Sequence, residues 1–217
     1  MLEFSKFDRC GYPTVSVREG YREWVPSYEA TVEDEMDVVL LEGLESVPWT
    51  GAWLRSRGVA RIDGIDLTPE MLARARARGI YDRLDVADVA ATGLEGGVYD
   101  LVTTCLVDEH LADLRPLYRE ASRLARPGGL HVLVGFHPYF IMRAGMATHF
   151  DRRPGEPIAI ETYVQLLSDH VAAARAAGLA LVEMRERLID DRFIALKPRW
   201  VEYRLHPVSF ATVWRRE

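Results

Sequence analysis

The sequence predicts an α/β fold whose sheet is mostly parallel and is closed by an antiparallel strand pair near the C-terminus. Three observations predict it. From Val59 to Phe136, apolar runs of strand length alternate with helical stretches in the order strand, helix, strand, turn, strand, helix, strand. Connections of that kind build a parallel sheet through right-handed crossovers. Acids stand at the carboxyl ends of these runs, Asp66 and Asp88 first and Asp108 later. Finally, Leu179–Arg187 and Pro207–Trp214 read as two strands, separated by a stretch too long for a tight turn and therefore predicted to form a flap.

A chain of 217 residues suits one main domain, here residues 29–217, preceded by a small N-terminal cap or lid over residues 1–28. With 48% hydrophobic and 28% charged residues it falls among ordinary globular proteins. A net charge of -6 argues against a nucleic-acid partner. No apolar run is long enough to span a bilayer, so no membrane partner is expected, and the first residues lack the apolar core of a signal peptide. Cys10 and Cys105, far apart in sequence, read as reduced thiols, and the expected location is cytoplasmic.

In chain order, residues 1–28 scatter Tyr12, Tyr21, Trp24 and Tyr28 among charges, fitting either a cap over apolar surface or a lid over a ligand. From Glu29 to Val47 apolar residues recur at helical intervals, and Pro48 ends that pattern. Thr50–Arg57 reads as a short helix stopped by Gly58. Val59–Asp66 is a strand, and Thr68 is placed to cap a helix over Pro69–Arg78, since proline at the first position forfeits no hydrogen bond. Arg74, Arg76 and Arg78 do not share one face of that helix and read as a solvated surface. Leu84–Val89 and Tyr99–Leu106 are strands separated by a glycine-rich turn. Asp113 is a plausible cap for a helix running to Ala125, Arg126-Pro127-Gly128-Gly129 is a sharp stop, and Leu130–Phe136 is the most strand-like run of all. Residues 137–160 look irregular, and a helix is predicted from Glu161 to Ala177.

The chemistry-bearing residues collect at strand ends, where open α/β sheets bind ligands. Asp66 and Asp88 are candidates to hold a ligand, or simply turn and capping acids. Asp108, Glu109 and His110 follow a central strand and read either as groups that position a nucleophile or act as general base, or as acids favouring the next helix start. His137 after the strongest strand is a further candidate base, as is His149 beyond it. His110, His137, His149 and His170 lack metal-ligand spacing, so no metal site is predicted.

The run GIDLTPEML, VADVAATGL, YDLVTTCLVDEHL and REASRLARPGG, spread between Gly64 and Gly129, resembles the class I S-adenosylmethionine-dependent methyltransferases of the small-molecule type. The resemblance implies a Rossmann-like sheet, S-adenosylmethionine as cofactor and a small-molecule substrate. By that resemblance Asp66 would hold the ribose hydroxyls and Leu67 would pack on the adenine. Asp88 and Val89 would read the adenine edge, and the backbone around Cys105 and Leu106 would face the methionine part. The chain departs from the pattern at one place. The family's first motif, a strand and a Gly-x-Gly-x-Gly loop, is missing between Trp49 and Thr50, where LESVPW runs directly into TGAWLRSRG. The sheet is therefore expected to lack its first strand unless another segment fills the place. Methyl transfer to a small molecule is the leading reading. The alternatives are a methyltransferase-like protein that no longer binds the cofactor and acts as a cyclase, isomerase or binding protein, and a homodimer or scaffold using the edge at Trp49 and Trp53.

Overall fold

The computed structural model describes residues 2–28, 54–55 and 58–217. The helix predicted over 29–47, the junction at Trp49–Thr50 and the Trp49/Trp53 edge lie outside the described residues; of the helix predicted at 50–57, Leu54 and Arg55 are described and are helical.

The chain begins with β1 (Leu2–Glu3), β2 (Thr14–Val15) and α1 (Val17–Trp24). Ser16 caps α1, its hydroxyl accepting the Glu19 N–H. The central region then gives β3 (Asp63–Asp66), α2 (Pro69–Ala77), β4 (Arg83–Val86), β5 (Tyr99–Cys105), a short 3-10 turn at Asp108–His110, α3 (Arg115–Leu124) and β6 (Ala125–Phe136). It continues through α4 (Pro138–Ala144), β7 (His149–Asp151), β8 (Pro157–Ile160), β9 (Tyr163–Val164) and α5 (Leu167–Ala176). β10 (Leu179–Leu188), α6 (Asp191–Leu196) and β11 (Pro207–Arg216) complete it.

The largest sheet has the order β10-β11-β6-β5. β5 and β6 are parallel, while β11 runs antiparallel to both β6 and β10, which is the predicted closing pair. β3 and β4 form a separate parallel pair. Among the described residues no strand lies between β3 and β5. The two sheets are instead tied by a side chain: the Tyr99 hydroxyl, at the start of β5, donates to Asp63 Oδ2 at 2.6 Å. Asp63 is also held by Arg61, and although burial opposes it, these hydrogen bonds keep its carboxyl below the usual range. Removing the hydroxyl in Tyr99→Phe is expected to lower stability by about 1–2 kcal/mol, as for a hydrogen bond to a charged group. A lower denaturant midpoint with an unchanged m-value would show it.

The core lies on both faces of the large sheet. On one side Leu117, Tyr118, Ala173 and Ala174 from α3 and α5 pack against Leu133, Phe210 and Trp214. Beyond the carboxyl end of β6, Phe140, Phe193, Trp200 and Val208 form a second cluster, so the predicted flap at 188–206 is an ordered α6 and 3-10 helix rather than a loose loop.

Three further expectations change. Residues 137–160 are not irregular: Pro138 at the first helical position and Gly145 in the left-handed conformation (φ +62°) bound α4, and β7 pairs with β8. The helix predicted from Glu161 starts six residues later, because Tyr163 and Val164 are drawn into pairing with β1 and Asp169 then accepts the Leu166 N–H. Thr68 is the residue at the α2 N-cap, yet its hydroxyl makes no capping bond. The N-terminal segment is joined to the same region as β9, since β2 pairs in parallel with β8. Residues 2–28 and 149–164 thus form one layer, with Trp24 stacked on Phe150 at 5.8 Å.

Candidate active site

Asp66 ends β3, and its Oδ1 accepts the Thr68 N–H at 2.7 Å, which points the carboxylate along the start of α2. Burial pushes its pKa up, against the lowering effect of the Thr68 hydrogen bonds. It borders a cleft of about 230 Å³, lined also by Tyr28, Ile65, Met71, Arg74 and Tyr81. Arg78 joins Arg74 on that wall, one turn away, whereas Arg76 does not; two of the three arginines expected on a solvated surface therefore face a concavity. Leu67 is half-buried beside Asp66. Asp88 is exposed, lies past the end of β4, and accepts the Ala90 N–H through Oδ1 at 2.8 Å. Val89 packs against the α3/α5 cluster. Cys105 is the last residue of β5. Leu106 follows with φ +52°, a left-handed conformation that a branched side chain rarely adopts, and donates its N–H to the Val134 carbonyl at 2.8 Å.

The turn that follows carries Asp108, Glu109 and His110, all buried. It is placed by Gly135 of β6. A Cβ there would stand 2.5 Å from Asp108 Oδ1, so only glycine lets the acid lie against the strand. His110 has both ring nitrogens engaged. Nδ1 lies 2.7 Å from the Glu161 carbonyl oxygen, which can only accept, so Nδ1 carries the proton in the neutral ring. Nε2 is then an acceptor and receives the Tyr21 hydroxyl at 3.1 Å. Burial lowers the His110 pKa, which keeps the ring neutral at pH 7. Glu109 reaches the same place: its Oε1 is 3.8 Å from His110 Nε2 and accepts weakly from the Thr148 hydroxyl at 3.5 Å. Burial and the adjacent Asp108 charge push Glu109 up to about 8, so its carboxyl holds a proton near neutrality. Tyr21 is raised well above an ordinary phenol, by burial first and then by the charges of Glu109, Tyr28 and Asp66. α1, which carries Tyr21, packs on α2, which begins just after Asp66.

His137 stands elsewhere. Its Nδ1 accepts the Tyr139 N–H at 3.1 Å, capping α4, and its Nε2 lies 2.8 Å from Glu186 Oε1. The His149 ring bonds the Ala147 carbonyl through Nδ1 at 3.0 Å and tilts against Tyr12. Sequence reasoning named Asp66 and the Asp108–His110 turn but missed Tyr21, Thr148 and the Glu161 carbonyl as their partners. A local signal for Tyr21 exists, since Gly20, Tyr21 and Trp24 recur on one helical face of α1.

A parallel pair ending in an acid, a polar turn after a second parallel pair, and an antiparallel pair closing the sheet together define the class I S-adenosylmethionine-dependent methyltransferase architecture. Residues 49–133 match the family described as "Methyltransferase domain". It is 30% identical over 193 residues to the erythromycin 3''-O-methyltransferase of Saccharopolyspora erythraea, a stretch covering 83% of this chain and 61% of that protein. The chain thus spans about three fifths of the length of this relative. Among solved structures, an S-adenosylmethionine-dependent methyltransferase from Mesorhizobium loti is 23% identical, covers 77% of this chain and 86% of its own, and superposes with a TM-score of 0.58. A Haloferax volcanii methyltransferase solved in complex with the Trm112 activator is 18% identical, with coverage of 92% and 97% and a TM-score of 0.64. At these identities the structural likenesses concern the fold.

Proposed function

We propose that this protein transfers a methyl group from S-adenosylmethionine to a hydroxyl group of a small-molecule acceptor, with His110 as the general base. The observation that carries the reading is the state of His110. It is a buried neutral imidazole whose Nδ1–H is fixed by the Glu161 carbonyl, so the Nε2 lone pair faces a hydroxyl, that of Tyr21. An acceptor hydroxyl in the same position would meet the same lone pair. The oxygen-methylating relative named above supports the acceptor type.

Asp66 supports the cofactor half of this reading. It lines a cleft at the end of β3, with Oδ1 held by the Thr68 N–H, where its carboxylate would meet a diol. Leu67 would pack on the adenine, with Asp88 and Val89 at its edge, and the backbone at Cys105 and Leu106 would border the methionine end. The cofactor supplies a methyl carried on a sulfonium centre. The protein's part is alignment and proton removal. The aromatic layer of Tyr21, Trp24 and Tyr28 would shield the site from water, the turn at 108–110 would hold the base, and His110 Nε2 would take the proton that the acceptor hydroxyl gives up. Neutral Glu109 beside it leaves the acceptor region without an added carboxylate charge, which suits an uncharged alcohol better than an ammonium group.

Calorimetric titration of the 217-residue chain with S-adenosylmethionine and its demethylated product tests the cofactor half. Micromolar binding is expected, weakened about tenfold to a hundredfold in Asp66→Ala, the range for losing hydrogen bonds to a charged group. Absence of binding at millimolar ligand by folded protein would overturn the reading and favour a protein of this fold that does not methylate.

A further inference from the structure

Between Asp88 and β5 the chain forms no helix and pairs only at one isolated bridge, Asp88 with Ala91. Its course is fixed by two side chains of α3. Glu120 Oε1 accepts the Thr92 N–H at 2.9 Å and the Thr92 hydroxyl at 2.5 Å. Arg123, one turn on, donates through Nη2 to the Leu94 carbonyl at 2.8 Å, and Thr92 Oγ1 accepts the Leu94 N–H at 3.2 Å. The two α3 side chains are themselves joined, Arg123 Nε to Glu120 Oε2 and Nη2 to Oε1, both at 2.7 Å. The N–H groups of Thr92 and Leu94 and the Leu94 carbonyl are thus all satisfied around one ion pair.

A carboxylate is a costly anchor to bury, and Glu120 is 8% exposed. The Arg123 hydrogen bonds hold it down to about 2 against the effect of burial, so it meets Thr92 as a carboxylate. What such directional bonds supply, and apolar contact does not, is a fixed position. The ends of the stretch are set by backbone bonds. The Ala87 N–H donates to the Asp66 carbonyl at 3.0 Å, and the Gly97 N–H to the Arg123 carbonyl at 2.8 Å. A Cβ at Gly96 would stand 3.0 Å from that same Arg123 oxygen, so the chain crosses α3 at close approach. The stretch therefore runs from beside Asp66 to α3, which is seated in the core through Leu117, Tyr118, Ala121 and Leu124. Asp88 turns within it: Oδ1 accepts the Ala90 N–H at 2.8 Å, and its carbonyl accepts the Ala91 N–H at 3.0 Å.

We propose that Glu120 is a positioning residue for the adenine end of the cofactor site: through Thr92 it fixes the turn at 88–91, and with it the place from which Asp88 and Val89 meet the base. The inference rests on the reading of Asp88 and Val89 as residues at the adenine edge. Val89 is drawn the same way, since it packs against the α3/α5 cluster. Glu120 and Thr92 need not touch the ligand; they act through the turn.

The test compares the wild type, Thr92→Val and Glu120→Gln as whole chains. Thr92→Val removes one hydroxyl and keeps the branched shape and the backbone N–H; Glu120→Gln keeps the length and removes the charge. Calorimetry gives Kd for S-adenosylhomocysteine and for its inosine counterpart, in which an oxygen replaces the 6-amino group of the base. The wild type is expected to prefer the adenine ligand by about tenfold to a hundredfold. In both variants the adenine ligand is expected to weaken about tenfold while the inosine ligand binds nearly as before. Heteronuclear relaxation of the backbone amides, without ligand, gives the second readout. Order parameters at 88–91 are expected near the rigid value of about 0.85 in the wild type and below about 0.6 in the variants. A lowered melting temperature with an unchanged preference between the ligands and a rigid turn at 88–91, in folded Thr92→Val, would overturn the proposal, since a merely structural anchor has that signature. If the wild type binds neither ligand, the cofactor reading fails by itself, and the order parameters still decide whether Glu120 holds the Asp88 turn.

Discussion

Replacing His110 by asparagine is expected to lower kcat by about 10²–10³-fold while changing KM only slightly, the signature of a group needed in the transition state rather than for binding. Asparagine can still donate to the Glu161 carbonyl and receive the Tyr21 hydroxyl, so the hydrogen bonds at both ends of the ring survive in outline. What it lacks is a basic nitrogen. The wild-type pH profile should carry the complementary signature. Burial lowers the His110 pKa beneath its ordinary value of 6.5, so kcat should be level through neutrality and fall only as the pH drops below that value and the ring is protonated. The asparagine variant should lose this limb. A residual rate that keeps the limb would assign the proton transfer to another group. His137 would be a poor replacement, because its two nitrogens are spent on the α4 cap and on Glu186.

The second large effect concerns stability. Glu109 has its pKa pushed from 4.5 to about 8 in the folded chain, by burial first and the Asp108 charge second. The folded state therefore binds this proton more tightly than the unfolded state does. The contribution to stability is fully present below pH 4.5 and is lost as the pH rises through 8. Glu109→Gln keeps the shape of the protonated acid and cannot ionise. Its unfolding free energy should stay nearly level between pH 6 and 9, where the wild type falls, so that the variant is the more stable protein at pH 9 by on the order of a few kcal/mol. Denaturant unfolding at pH 6 and pH 9 decides it. Parallel curves for the two proteins would mean that Glu109 is ionised in the fold and that the acceptor region carries its charge.

Local signals made most of the central fold legible. The acid at the end of β3 was readable because a strand pattern stops at Asp66 and a proline-led helix begins directly after it. α3 and the closing pair β10/β11 were readable from a strong helical period and from alternation. α4 was missed although its signals were present, a proline at the first helical position and a glycine at the end, because the nearly all-apolar PYFIMRA does not set off its buried residues Phe140, Ile141 and Ala144 from the exposed Tyr139. The start of α5 was missed for a different reason. Residues 161–166 carry an acceptable helical pattern, and only the pairing of Tyr163 and Val164 with the first residues of the chain removes them from the helix.

By itself the sequence determined the order of strands and helices in the 63–136 region, that an acid closes β3, and that three polar groups follow β5; it did not show that β6 starts at Ala125 and runs through Arg126–Gly129, which read as a stop. Those features depend on neighbours within a turn or two, and periodicity and capping express them directly. The tertiary structure alone decided what these groups do to one another. Tyr21 meets His110 across 89 positions of sequence, Glu161 meets it across 51, and Tyr118 meets His170 across 52. Those encounters fix the tautomer of His110, and burial together with the adjacent Asp108 charge lifts Glu109 into the neutral range. No local pattern encodes them, because a hydrogen bond between distant segments leaves no period in either one; it exists only once the sheet has brought both to the same end of β5 and β6.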